Sequence, residues 1–178
     1  MTRDISGQSP LRAFLVSLVR SSRSCPDSVK SVILTVAAIA IGIIGWSGNP
    51  FLLPVAMLFP ALWAMAPTRA SAAMVAAGYF LAASHGLPQG VMNFYGGGIG
   101  AGLALWVSAS AGFVLVHTML WTERPGWRRA LRYGVVAVLM SVPPFGIVGG
   151  AHPITGAGMV FSGWGWPGLV AAMIGLLA

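Results

Sequence analysis

Three long stretches of this chain carry no charged residue: 31–68, 70–122 and 133–178. Crossing a hydrocarbon core about 30 Å thick takes about 20 predominantly apolar residues, so each stretch has room for two crossings. All ten basic and three acidic side chains fall outside them, in residues 1–30, at Arg69, and between Glu123 and Arg132. A soluble domain carries charge on about a quarter of its residues. Here 7% of residues are charged and 57% are hydrophobic. The pattern predicts an all-α fold, a polytopic transmembrane helical bundle.

Six apolar runs fill the charge-free stretches, at 32–46, 51–66, 70–84, 97–121, 134–149 and 166–178. Gly48-Asn49-Pro50 marks a turn between the first two. Pro54 and Pro60 are expected to kink the second run or delay its start. Residues 1–30 form a basic leader, in which Leu11, Phe14, Leu15 and Leu18 share the spacing of one helix face lying on a membrane surface. Gly98 with Gly102, and Gly96 with Gly100, make small-residue faces for close helix packing. The same glycines miss the G-x-G-x-x-G spacing of a dinucleotide loop, and no strand precedes them.

The basic residues set an orientation. With the N-terminus in the cytoplasm, the leader, Arg69 and the loop holding Arg124, Arg128, Arg129 and Arg132 all lie on that side. The loops near 47–50, 85–96 and 149–165 then carry no charge, as the positive-inside rule requires. Arg69 reads as a snorkelling anchor, because an arginine at mid-bilayer costs at least about 2.5 kcal/mol. This anchoring role accounts for the net charge of +7, and no nucleic-acid binding is expected. The location implied is a membrane, with membrane lipids as the first partners.

Chemistry is sparse in the apolar body. Asp4, Asp27 and Glu123 are all expected near the membrane surface. His85, His117 and His152 share no metal-ligand spacing, and Cys25 is the one cysteine. No catalytic residue, metal site or cofactor is expected. Uncharged polar and aromatic residues gather instead on the outer loops: His85, Gln89, Asn93 and Tyr95 on one, His152, Thr155, Trp164 and Trp166 on another. They suggest a platform for lipid headgroups or a substrate, with the two tryptophans as interfacial rings. The alternative is that they only satisfy backbone groups freed by Pro88 and the neighbouring glycines.

Three segments, LFPALWAMAPTRA (58–70), YFLAASHGLPQGVMNFYGG (79–97) and SVPPFGIVGGAHPITGAGMVFSGWGWPGL (141–169), resemble the conjugal-transfer TraB family, itself similar to the membrane part of apolipoprotein N-acyltransferase. In that family a bundle of spans anchors a nitrilase-like domain on the outer face of the inner membrane. A Glu-Lys-Cys triad there transfers an acyl group through a thioester. The resemblance implies a further span and then that domain, whereas this sequence stops inside an apolar run of 13 residues, 166–178. Such a run reaches about 20 Å, so the sixth span is expected to be truncated. The triad has no matching positions, and no catalytic residue carries over. What carries over is an anchoring and lipid-access role in a conjugal transfer protein, possible partners being other transfer proteins. The alternative is a complete, non-enzymatic scaffold or channel component of a transfer apparatus.

Overall fold

The computed structural model describes residues 26–148, 151–161 and 163–177. The expected surface helix over Leu11, Phe14, Leu15 and Leu18 lies outside them, as does Cys25. Every regular element among the described residues is helical. Helix α1 is Asp27–Gly45, followed by a 3-10 segment at Pro50–Leu58 and a short α2 at Phe59–Ala64. Then come α3 (Arg69–Ala83), α4 (Leu87–Tyr95), α5 (Ile99–Leu120) and α6 (Trp127–Ser141). Short turns α7 (Phe145–Val148), Pro153–Gly156 in 3-10 form and α8 (Ala157–Val160) lead to α9 (Gly165–Leu177).

Two of the six expected spans are helices long and apolar enough to cross a membrane, α1 with 19 residues and α5 with 22. At 1.5 Å per residue they reach about 28 and 33 Å. A third crossing is available if α3 and α4, which meet at a 40° bend, count as one. The remaining runs are built differently, and proline is the main reason. Pro54 sits inside the second run without an N–H to donate, and residues 50–58 wind as 3-10 before α2 begins. Pro60 falls in the first turn of α2, where a missing N–H breaks no intrahelical bond. The fifth run ends as a helix at Ser141, because Pro143 disfavours helical geometry at Val142 before it. It also starts earlier than expected, at Trp127, so that Arg128, Arg129 and Arg132 belong to its first turns.

Small residues face inward on α1 and large ones outward. Its buried positions are Ser31, Leu34, Ala38, Gly42 and Gly45, while Val32, Ile33, Val36 and Ile43 are exposed. Helix α5 likewise turns Leu103, Val107, Leu115 and Met119 outward and Gly102 and Ser110 inward, with Phe113 and His117 as its two large buried side chains. A water-soluble helix reverses this order. The arrangement suits a solvent as apolar as leucine, in which helices associate through close contact rather than through burial of bulk.

Contacts set the directions of the helices. Gly42 of α1 lies against Ala82 and Ala83 of α3, and Gly78 of α3 against Thr35 and Ile39, so α1 and α3 run parallel. On α5, Gly102 meets Pro88, Trp106 Nε1 donates to Leu81 O at 3.2 Å, and Phe113 packs on Phe80. Helix α5 is therefore antiparallel to both. Arg129 Nη1 donates to Ala64 O at 2.7 Å, which brings the start of α6 beside the end of α2, near Arg69. The starts of α1, α3 and α6 thus share one end of the fold, and with them every charged side chain of the described residues.

The glycine faces expected at the start of α5 are realised in part. At Gly102 an added Cβ would stand 2.5 Å from Pro88 O. At Gly96, Gly98 and Gly100 nothing lies within 4 Å. Gly96 serves another purpose, adopting φ +65° to close α4, a left-handed cap that glycine reaches without strain.

Candidate functional site

The eight polar and aromatic residues singled out on the uncharged loops fall into two groups at the end away from the charges. The first stands on and before α4, which packs against α5. His85, Gln89, Asn93 and Tyr95 are all exposed there. Gln89 and Asn93 lie one helical turn apart, and Gln89 Nε2 donates to Asn93 Oδ1 at 3.0 Å. His85 is tied back to its own helix end, Nδ1 donating to Ala82 O at 2.7 Å. Tyr95 packs edge-to-face on Phe94 with centroids 4.9 Å apart.

The second group lies beyond α7. Trp164 and Trp166 are exposed, as is Thr155, but His152 is buried. Its Nδ1 accepts a hydrogen bond from the Ile154 N–H at 3.0 Å, an arrangement open only to the ring without a proton on that nitrogen. Burial lowers its pKa from 6.5 to about 4. The folded form therefore holds fewer protons than the unfolded one between those values, so its stability is complete above pH 6.5 and falls as the pH drops towards 4. Over that window the docked segment is expected to lose up to roughly 3 kcal/mol. Proteolysis of the 149–165 segment in micelles should accelerate below pH 6, and His152→Phe should remove the pH dependence; an unchanged profile in the variant refutes the assignment.

Between the two ends lies a buried aromatic seam that the loop residues do not belong to. Phe59 and Trp63 stand one turn apart on α2, Tyr79 and Phe80 on α3, Phe113 and His117 one turn apart on α5, and Tyr133 on α6. Side chains at i and i+4 share a helix face, so α2 and α5 each present a pair of rings inward. His117 sits at the centre, with ring centroids 4.9 Å from Phe80, 5.4 Å from Phe59 and 6.1 Å from Trp63. Its Nδ1 donates to the carbonyl of Phe113 at 2.8 Å. Tyr79 links the seam to the uncharged end: its hydroxyl accepts from Trp46 Nε1 at 3.2 Å and donates to Ala151 O at 3.3 Å. By sequence His117 stands out only as a histidine that shares no metal-ligand spacing with His85 and His152. The signal that could have found it is the i, i+4 pairing Phe113–His117, which is faint in a helix apolar all round.

No acid joins this seam, and among the described residues no three His, Cys, Asp or Glu side chains come close enough to hold a metal ion. The arginines expected as anchors divide. Arg69, Arg124 and Arg128 are exposed, and Arg128 lies over the Trp127 ring at 5.8 Å. Arg132 Nη1 reaches Trp121 O at 3.4 Å, whereas Arg129 is half-buried and crosslinks two segments.

Among the described residues these features define an all-helical protein, with helices long and apolar enough for a membrane and with charges gathered at one end. The chain is 57% identical to a probable conjugal transfer protein TraB of Sinorhizobium fredii over 151 residues, covering 85% of this chain and 39% of that protein. It is 49% identical to a conjugal transfer protein TraB of Agrobacterium fabrum over 186 residues, covering 99% of this chain and 44% of the relative. An uncharacterized protein outside the virF region of Agrobacterium tumefaciens is 61% identical over 84 residues, 47% of this chain and 56% of that one. The chain is thus similar to TraB proteins over most of its own length. It spans less than half the length of the two TraB relatives. No family model matches, and no solved structure does.

Proposed function

We propose that this chain is the membrane-embedded helical region of a TraB-type conjugal transfer protein, seated in the bacterial inner membrane with its N-terminus in the cytoplasm. The observation that carries the proposal is the 57% and 49% identity to TraB proteins along 85% and 99% of the chain. The outward apolar faces of α1 and α5 support a lipid environment. In this reading the six apolar segments cross or enter the bilayer. Residues 1–30 lie in the cytoplasm, and the basic end of the fold sits at the anionic inner leaflet. His85, Gln89, Asn93, Tyr95, Thr155, Trp164 and Trp166 face the outer interface, beside a lateral entry for lipid. Its role is anchoring and lipid access, as the resemblance to the membrane part of apolipoprotein N-acyltransferase suggests, without acyl transfer by these residues.

Topology reporters test the orientation. Alkaline phosphatase fused after residue 90 or residue 155 is expected to be active, and after residue 127 inactive; the opposite pattern rejects the proposed sidedness. Deleting this region from a conjugative donor should lower transfer. If these residues alone restore mating to a donor that makes no other part of the protein, a scaffold or channel role replaces the anchor reading.

A further inference from the structure

The charged end of the fold holds a cleft of about 580 Å³, a volume that suits a headgroup or small ligand. One side is apolar, made by Met57, Pro60, Ala61 and Ala64, and Trp127, Arg129 and Tyr133 of α6 line it as well. Arg129 is the chemical centre. Its Nη1 donates to Ala64 O at 2.7 Å and its Nη2 to Glu123 O at 3.0 Å. Both partners are neutral carbonyls, not carboxylates, and each Nη carries a second N–H. Beneath the cleft, Arg129 Nε and the indole Nε1 of the fully buried Trp63 are buried without a hydrogen-bond partner. A guanidinium charge is thus held half-buried with donors to spare.

The surroundings add to its field. Arg124, Arg128 and Arg132 stand on the same segment, against Glu123 as its single acid. Trp127 is 71% exposed at the edge of the cleft, the placement of an indole at a bilayer interface. A positive, donor-rich centre beside an apolar wall matches an amphiphile with an anionic head. A nucleic acid or a free anion would leave the apolar wall unused.

We propose that this cleft binds one anionic phospholipid of the leaflet at the charged end, its phosphate on Arg129 and its upper acyl chain along Met57, Pro60 and Ala61. This inference rests on the membrane reading given above. Basic pockets between membrane helices favour such headgroups over zwitterionic ones through charge and spare donors together.

The test is native mass spectrometry of the full chain released from micelles holding equal phosphatidylglycerol and phosphatidylcholine. One phosphatidylglycerol should be retained with about tenfold preference. Ala61→Leu, which fills the cleft without changing charge, should abolish the preference. Arg69→Gln, which removes a charge from the same end outside the cleft, should leave it intact. Equal retention of the two lipids overturns the proposal, whatever the variants do. So does an equal loss in Arg69→Gln and Ala61→Leu, which marks a diffuse surface charge. Displacement by millimolar inorganic phosphate marks a free-anion site and also overturns it. A chain that inserts into membranes but shows no lipid preference refutes this inference alone, whereas one recovered outside the membrane fraction refutes the membrane reading as well.

Discussion

Gly42→Leu is expected to separate α1 from α3 and to be the most damaging single change on α1. A Cβ at position 42 would stand 2.8 Å from Tyr79 O, 2.9 Å from the Ala82 Cβ and 3.0 Å from Ala83 N. Two of those three atoms are backbone, so no side chain can swing away to make room. Overpacking of this kind costs about 3 kcal/mol, with the gain of about 1 kcal/mol in helix propensity already too small to offset it. Losing the α1–α3 contact also removes the support of Tyr79, whose hydroxyl joins Trp46 to Ala151. Gly100→Leu is the control, because nothing lies within 4 Å of an added Cβ there. Unfolding of the purified protein in mixed detergent and SDS micelles should show a much lower midpoint for Gly42→Leu than for Gly100→Leu. Equal midpoints refute the close approach of the two helices.

Phe59→Ala should cost about as much by the opposite route, a cavity in place of a clash. The Phe59 ring is fully buried, stacked on Tyr79 with centroids 4.3 Å apart and set edge-on to Phe80 at 5.5 Å and His117 at 5.4 Å. In water such a truncation costs 3–5 kcal/mol, roughly, from lost transfer and from the cavity together. In a bilayer the transfer part shrinks, since the unfolded ring still meets lipid, but the lost ring contacts and the cavity remain. An effect of about 3 kcal/mol follows, at the low end of the range for water. Phe94→Ala removes the same ring from a site 82% exposed and should change the midpoint little. If the two alanine variants unfold together, the aromatic seam does not hold the helices. Phe59→Leu, which refills much of the space, should recover part of the loss.

Much of this architecture is legible in the residue order, and the unread part has a common cause. The helix over Ile99–Leu120 follows closely from the apolar run at 97–121, and the gathering of charges at one end follows from their spacing along the chain. Helix counts suffered where proline acted. The run at 51–66 looks like a span by hydropathy, yet Pro54 and Pro60 divide it into a 3-10 segment and one short helix. Gly102 was identifiable as a packing residue, whereas Gly42 carried no flanking signal beyond its own smallness. The inward turn of His152 had no signal in the sequence.

Charge placement by itself determined that the described residues fold as packed helices with their charges at one end, because an arginine is too costly to leave in an apolar medium and a helix satisfies its own backbone there. Tertiary structure alone decided that Phe59, Trp63, Phe80 and Tyr133 converge on His117, and that Arg129 joins α2 to the 121–132 segment. Helical periodicity exposes a face through contrast between polar and apolar positions, and helices apolar on every side offer almost none. Which of their faces meet is then settled by fit, glycine against backbone and ring against ring.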